Sequence, residues 1–94
     1  MSDDFTMFRA TVFGRVQGVG FRAATVQQAR LYNVTGWVRN AVDGTVEVLA
    51  QGAADDIDKF LSWLHKGPVA ARVDRVEVID GDLTEKRHQH FEWR

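Results

Sequence analysis

The chain has no cysteine and a single proline, and between Phe5 and Val42 it has no acidic residue. The first absence removes disulfides, thiolate zinc sites and every mechanism with a cysteine nucleophile, including phosphatases that attack phosphorus with a thiolate. There is no apolar run long enough for a signal peptide or a membrane span, and the amino terminus, Met1-Ser2-Asp3-Asp4-Phe5, is acidic. A cytoplasmic location without a membrane partner is expected. A length of 94 residues leaves no room for a second domain or a deep interdomain cleft. The whole chain, 1–94, is expected to form one domain, with residues 1–6 as a loose N-terminal extension, and a core of two helices on one sheet is what such a length can close.

The missing acids are more informative than the net charge. The formal charge of −1 argues against a dedicated nucleic-acid or acidic-membrane binder. Yet Arg9, Arg15, Arg22, Arg30 and Arg39 give the acid-free window +5, while residues 43–94 hold eleven acids against seven bases. The near-neutral total is a cancellation.

Hydrophobic periodicity supplies the elements. Phe8, Ala10, Val12, Gly14 and Val16 recur at alternate positions from Met7 to Val16, with Arg9, Thr11 and Arg15 between them, which predicts a first strand. Phe21 to Tyr32 lacks glycine and proline and predicts a helix whose apolar face is Phe21, Ala24, Leu31 and Tyr32, interrupted by Thr25 and Gln28. Gly36–Asn40 and Gly44–Ala50 read as two strands joined by an Asn40–Gly44 hairpin loop, with Asp43-Gly44 supplying the turn. Ile57, Phe60, Leu61 and Leu64 fall on one helical face, with Asp55, Asp56 and Asp58 at its start, His65 and Lys66 at its end, and Gly67-Pro68 as its stop. Asp74–Ile79 predicts a strand with Val76 and Val78 facing inward, and His90–Trp93 a short last one. The order βαββαβ predicts a ferredoxin-like α+β sandwich, a mainly antiparallel sheet with both helices on one face. Strands one and two are expected to pair in the sheet interior. Trp37, Trp63 and Trp93, with Phe8, Phe21 and Phe60, read as packing residues rather than substrate contacts.

The run Gly14-Arg15-Val16-Gln17-Gly18-Val19-Gly20-Phe21-Arg22 passes from a strand, through a glycine loop, into a helix with no Ser, Thr, Asn or Asp at its start. Its first amides need an acceptor. An anion fits, because converging backbone N–H groups and the helix dipole both favour negative charge there, and Arg22 adds a planar fork suited to phosphate. The spacing G-x-x-x-G-x-G is neither a dinucleotide fingerprint nor a nucleotide-triphosphate loop. An ordinary strand-to-helix connection carrying a surface arginine has the same spacing.

This run resembles the first signature of the acylphosphatases. Gly36-Trp37-Val38-Arg39-Asn40, followed by Gly44, Val46 and Gly52, resembles the second. The likeness covers nearly the whole chain, leaving out the first few residues and the His88-Gln89-His90 tail, and Val69 stands where a second proline is often found. The resemblance implies hydrolysis of a carboxyl–phosphate anhydride to carboxylate and inorganic phosphate, with no metal and no cofactor. It implies that Arg22 and the amides of Arg15, Val16, Gln17, Gly18, Val19 and Gly20 hold the phosphoryl group, and that Asn40 orients the attacking water. The expected partners are a small acyl phosphate and inorganic phosphate as product and competitive ligand, with no nucleic acid, and the expected state is a monomer. Taken alone, an Asn beside a hairpin loop is as readily a turn residue, since its side chain bonds local backbone.

Three other readings are weaker. Val76-Glu77-Val78-Ile79-Asp80-Gly81-Asp82-Leu83-Thr84 imitates the strand plus D-x-D-x-T of aspartyl-phosphate phosphatases, but only ten residues follow Thr84, too few for the sheet that mechanism needs. An RNA-binding module of the same topology needs stacking aromatics on its central strands, and Thr45–Ala50 offers none and places Glu47 there. A metal carrier would have only His88 and His90 as a cluster. Arg39, on the strand face opposite Asn40, is a weaker phosphate ligand than Arg22.

Overall fold

A computed structural model describes residues 5–80 and 86–94. The elements run β1 (Phe5–Arg15), α1 (Phe21–Leu31), β2 (Thr35–Asn40), β3 (Val46–Ala53), α2 (Ala54–Lys66), β4 (Arg72–Asp80) and β5 (Phe91–Trp93). They form one five-stranded sheet in the order β4-β1-β3-β2-β5. All neighbours are antiparallel except β2 and β5, which run parallel. This is the ferredoxin-like α+β sandwich with an added edge strand.

Two pairings differ from expectation. β1 and β2 are not neighbours, because β3 lies between them, with Ala10 opposite Val48 and Val48 opposite Val38. The hairpin forces this arrangement, since β3 returns alongside β2 and its other edge is the one open to β1. Phe5 and Thr6, expected in a loose extension, pair with Ala53 and Gly52 and so lengthen both strands. The hairpin loop itself is Ala41–Thr45, of the expected length but shifted one position along the chain from Asn40–Gly44. Asp43 accepts from both the amide and the hydroxyl of Thr45 (3.1 and 2.6 Å), which holds Thr45 out of the strand. The same bonds hold the Asp43 carboxyl below its ordinary pKa, the hydroxyl bond first.

Both helices pack on one face, over Phe8, Ala10, Val12, Val38, Val46, Val48 and Ala50. α2 inserts Ile57, Phe60 and Leu64, as its periodicity predicts. Phe60 touches Phe8 and Phe91 at ring distances of 6.5 and 5.7 Å. α1 is turned relative to its predicted face. It buries Phe21, Thr25, Val26 and Ala29, whereas Leu31 is 68% exposed. Thr25 tolerates burial because its hydroxyl donates to the Phe21 carbonyl at 2.7 Å, which satisfies its one polar group. On β4, Val73 and Val76 reach the core but Val78 is exposed, since this edge strand runs past the cover of α2.

The opposite sheet face is not bare. Trp37 is buried there beneath the guanidinium groups of Arg9, Arg39 and Arg94, each within 5.6 Å of a ring centroid. Gln51, fully buried, donates to the Lys86 carbonyl and accepts from the His88 amide, both at 2.8 Å. The main chain of Lys86–His88 therefore lies over β3 and delivers β5 to its place beside β2. The D-x-D-x-T imitation divides between β4 and residues outside those described, since Gly81, Asp82, Leu83 and Thr84 are not among them.

Gly36, like Gly14, is a position where the sheet admits no side chain. Its φ is +135°, and a Cβ would stand 1.9 Å from the Leu49 carbonyl oxygen. Gly36→Ala is expected to destabilise the fold by about 2–4 kcal/mol, read as a lowered urea midpoint. A midpoint within experimental error of the wild type would contradict the close approach.

Candidate active site

β1 ends at Arg15, and the chain turns through Val16–Gly20 into α1. Gly18 and Gly20 have φ of 75° and 78°, left-handed values that glycine adopts without a steric cost. Gly20 is the N-cap of α1, with no side-chain capping bond, and the first helical bond is from the Ala24 amide to its carbonyl at 3.1 Å. The amides of Phe21, Arg22 and Ala23 are left over by helix geometry. None of the amides from Gln17 to Gly20 donates to a main-chain carbonyl among the described residues. The first turn of α1 contains no acid that would compete for the positive end of its dipole.

A depression of about 160 Å³ opens at this helix start, lined by Val16, Gly18, Gly20, Phe21, Arg22, Ala23, Asn40 and Trp93. Arg22 and Asn40, eighteen positions apart in sequence, meet here because α1 begins at the end of the sheet where β2 finishes. Arg22 is held from behind. One Nη1–H donates to a main-chain oxygen of Arg94 at 2.9 Å, and its guanidinium lies 5.0 Å from the Trp93 ring centroid. The carboxamide of Asn40 has no hydrogen bond among the described residues. The turn-forming role that an Asn could have taken at this position belongs instead to Asp43. Arg39 points to the far face, paired with Glu47 at 2.7 Å and stacked on Trp37.

Arg15, Gln17 and Val19 do not line the depression. Arg15 still belongs to the β1–β4 ladder opposite Arg72, and Val19 packs against the core. The Gln17 side chain has a different task. Its Nε2 donates to the carbonyls of Ala41 and Thr45, both at 2.8 Å, tying the glycine loop to the hairpin that carries Asn40. Gln17→Leu is expected to lower turnover on the order of ten- to a hundredfold through misplaced geometry, with little change in inhibition by phosphate. Equal losses in both would place Gln17 in anion binding instead.

Sequence reasoning missed Trp93 as a site residue. It is 54% exposed, unlike Trp37, and Trp63 packs on Phe21 at 5.7 Å. Pairing with Val38 puts Trp93 on the helix face, beyond the start of α1, where no helix covers it. The alternation of Phe91 and Trp93 was the available signal, but it does not tell which aromatic is covered. Another open depression, of about 440 Å³, lies at the other end of β2 among Arg30, Asn33, Thr35 and His90, away from the unpaired loop amides. Among the described residues no three His, Asp or Glu side chains are grouped so as to hold a metal ion.

The profile of the acylphosphatase family matches residues 8–93. The chain belongs to this family. It is 51% identical over 80 residues to an acylphosphatase of Bordetella parapertussis, covering 85% of this chain and 84% of the relative. With an acylphosphatase of Paraburkholderia xenovorans it shares 53% over 81 residues, 86% of this chain and 82% of the other. An acylphosphatase structure from Coxiella burnetii superposes with a TM-score of 0.89 at 35% identity, covering 97% of this chain and 94% of that one. As a member of the acylphosphatase family the protein is an enzyme, a hydrolase of acyl phosphates. Among the described residues no helix is long and apolar enough to cross a membrane.

Proposed function

We propose that the depression at the start of α1 is where the acyl phosphate is cleaved, with Arg22 as phosphate clamp and Asn40 as the residue that positions water. What carries this reading is the convergence of unpaired amides, a pre-oriented guanidinium and an unpaired carboxamide on one depression. The phosphoryl oxygens take the free amides of the loop and the first turn of α1 together with the remaining N–H groups of Arg22. The Asn40 carboxamide oxygen accepts a hydrogen bond from water and directs its lone pair at phosphorus.

The water oxygen–phosphorus bond forms as the phosphorus–acyl oxygen bond breaks, and the carboxylate leaves with the bonding electrons. Its conjugate acid has a pKa of about 4, so departure needs no strong general acid. Phosphoryl transfer then asks for positioning and charge stabilisation, which this site can provide. Asn cannot remove a proton at neutral pH, so the water proton passes to the substrate's own phosphate or to solvent. None of the three histidines lines the depression, in keeping with this route.

The test is hydrolysis of benzoyl phosphate in excess EDTA with inorganic phosphate as inhibitor. Full turnover without added metal and competitive inhibition are expected. Activity that vanishes in EDTA and returns with magnesium would overturn the metal-independent mechanism, and a steep titration near neutrality would implicate a histidine. The same reading takes the protein as a cytoplasmic monomer, and a molecular mass in solution of twice the 10.6 kDa of the chain would contradict the second half.

A further inference from the structure

The groups around the depression divide by chemistry. The loop and helix amides, Arg22 and Asn40 can hold an anion and a water. Val16, Phe21, Ala23 and Trp93 cannot, and among the described residues they are the only groups lining it that could meet the rest of the substrate. Two of them are withdrawn, since Val16 and Phe21 are each 1% exposed and spend their surface on the core. Ala23 offers a single methyl group. Trp93 is the one large apolar side chain at the rim that still presents surface, 54% of it, although one part of its ring already carries the Arg22 guanidinium at 5.0 Å.

We propose that the indole of Trp93 receives the acyl group, so that the site favours acyl phosphates with an aromatic or extended apolar acyl portion over acetyl phosphate. This deepens the functional reading above and rests on it. A phosphoryl group bound to Arg22 has Trp93 as its immediate apolar neighbour, because the same guanidinium touches both. The carbonyl-bearing end of the substrate leaves the polar part of the depression across that ring. An aryl group covers the indole edge and removes apolar surface from water, whereas the methyl of an acetyl group covers little. The register of β5 fixes the ring in advance. Trp93 pairs with Val38, and the following amide of Arg94 donates to the Val38 carbonyl at 2.8 Å, so the platform is set by main-chain bonds and needs no ordering when substrate arrives.

Trp93 also stands behind Arg22, so the experiment has to separate a contact with the acyl group from an effect on the clamp. Wild type, Trp93→Phe and Trp93→Ala are compared with benzoyl phosphate and acetyl phosphate, and each is titrated with inorganic phosphate. The expected result is that Trp93→Ala lowers the ratio of kcat/KM for benzoyl over acetyl phosphate on the order of tenfold, chiefly through KM. Trp93→Phe, whose ring still backs Arg22, is expected to keep most of that ratio and a phosphate inhibition constant within about twofold of wild type, whereas Trp93→Ala also weakens phosphate inhibition, a loss common to both substrates that cancels in the ratio. Equal losses on both substrates, accompanied by weaker phosphate inhibition, would mean that Trp93 acts only through Arg22 and would overturn the proposal. An unchanged ratio in Trp93→Ala would overturn it as well. Wild type that hydrolyses neither substrate would remove the functional reading itself, an outcome distinct from either.

Discussion

Replacing Arg22 with alanine is expected to slow benzoyl phosphate hydrolysis by about 10²- to 10⁴-fold, with the inhibition constant for inorganic phosphate rising in the same variant. The reason lies in what the guanidinium has already committed. One N–H is spent on a main-chain oxygen of Arg94 and one face on Trp93, which fixes the plane of the fork and leaves its other donors for the anion. Negative charge on the phosphoryl oxygens is then met by donors that do not have to reorganise during the reaction. Because the product phosphate carries the same oxygens, ground-state binding weakens along with turnover. Arg22→Lys keeps the charge and loses both the fork and the stacking, so it should recover only a part of the rate. The side chain is partly exposed and lies outside the core cluster, so circular dichroism should show the variant folded. A variant with wild-type rate and wild-type phosphate inhibition would remove Arg22 from the mechanism.

Asn40→Ala is expected to act differently. Turnover should fall by about 10²- to 10³-fold, while inhibition by phosphate changes little, since a residue that aims water contributes to the reaction and not to holding the anion. Kinetics that separate kcat from the phosphate inhibition constant check this directly. Asn40→Asp makes the distinction stronger, because it keeps the size and the acceptor but sets a negative charge beside the phosphoryl oxygens. If the inhibition constant moved as far as kcat in the alanine variant, Asn40 would be a binding residue. The hairpin should survive the substitution, because its loop is closed by Asp43 and by the amide of Ala41 on the Thr45 carbonyl at 2.9 Å, neither of which involves the Asn40 side chain.

What could be read from the residues alone follows from where each piece of information is stored. The glycine loop was legible because left-handed backbone is written locally, in Gly18 and Gly20, and α2 because Ile57, Phe60 and Leu64 repeat at helical spacing under a run of acids. Strand order was not legible. β1, β2 and β3 all alternate small apolar residues, and nothing within Phe8–Val12 states that its partner is Val46–Ala50 rather than Thr35–Asn40. Burial on the far face of β3 was not legible either, since Leu49 and Gln51 point away from the helices and yet are fully buried. They are covered from a distance, Gln51 by Lys86 and His88. A glutamine directly after Val48-Leu49-Ala50 was the available sign that something polar would arrive there. At the candidate site, the paired signatures singled out Arg22 and Asn40, which the fold brings to one depression, while the side-chain bonds of Gln17 and the exposure of Trp93 depend on tertiary neighbours that no local pattern names.

The bond from Arg22 to Arg94 joins residues 72 positions apart, and Gln17 reaches partners 24 and 28 positions away. The signature loop therefore does not contain its own active geometry. A segment holding both signatures, cut out or grafted onto another scaffold, would have the amides and the arginine but neither the Arg94 oxygen that turns the guanidinium nor the ring that backs it. Closing contacts of that span comes at an entropic cost that only the completed sheet can offset. If the proposed site is the catalytic one, its competence is a property of the finished topology, and β5, three residues long, completes it by carrying Trp93 and leading into Arg94.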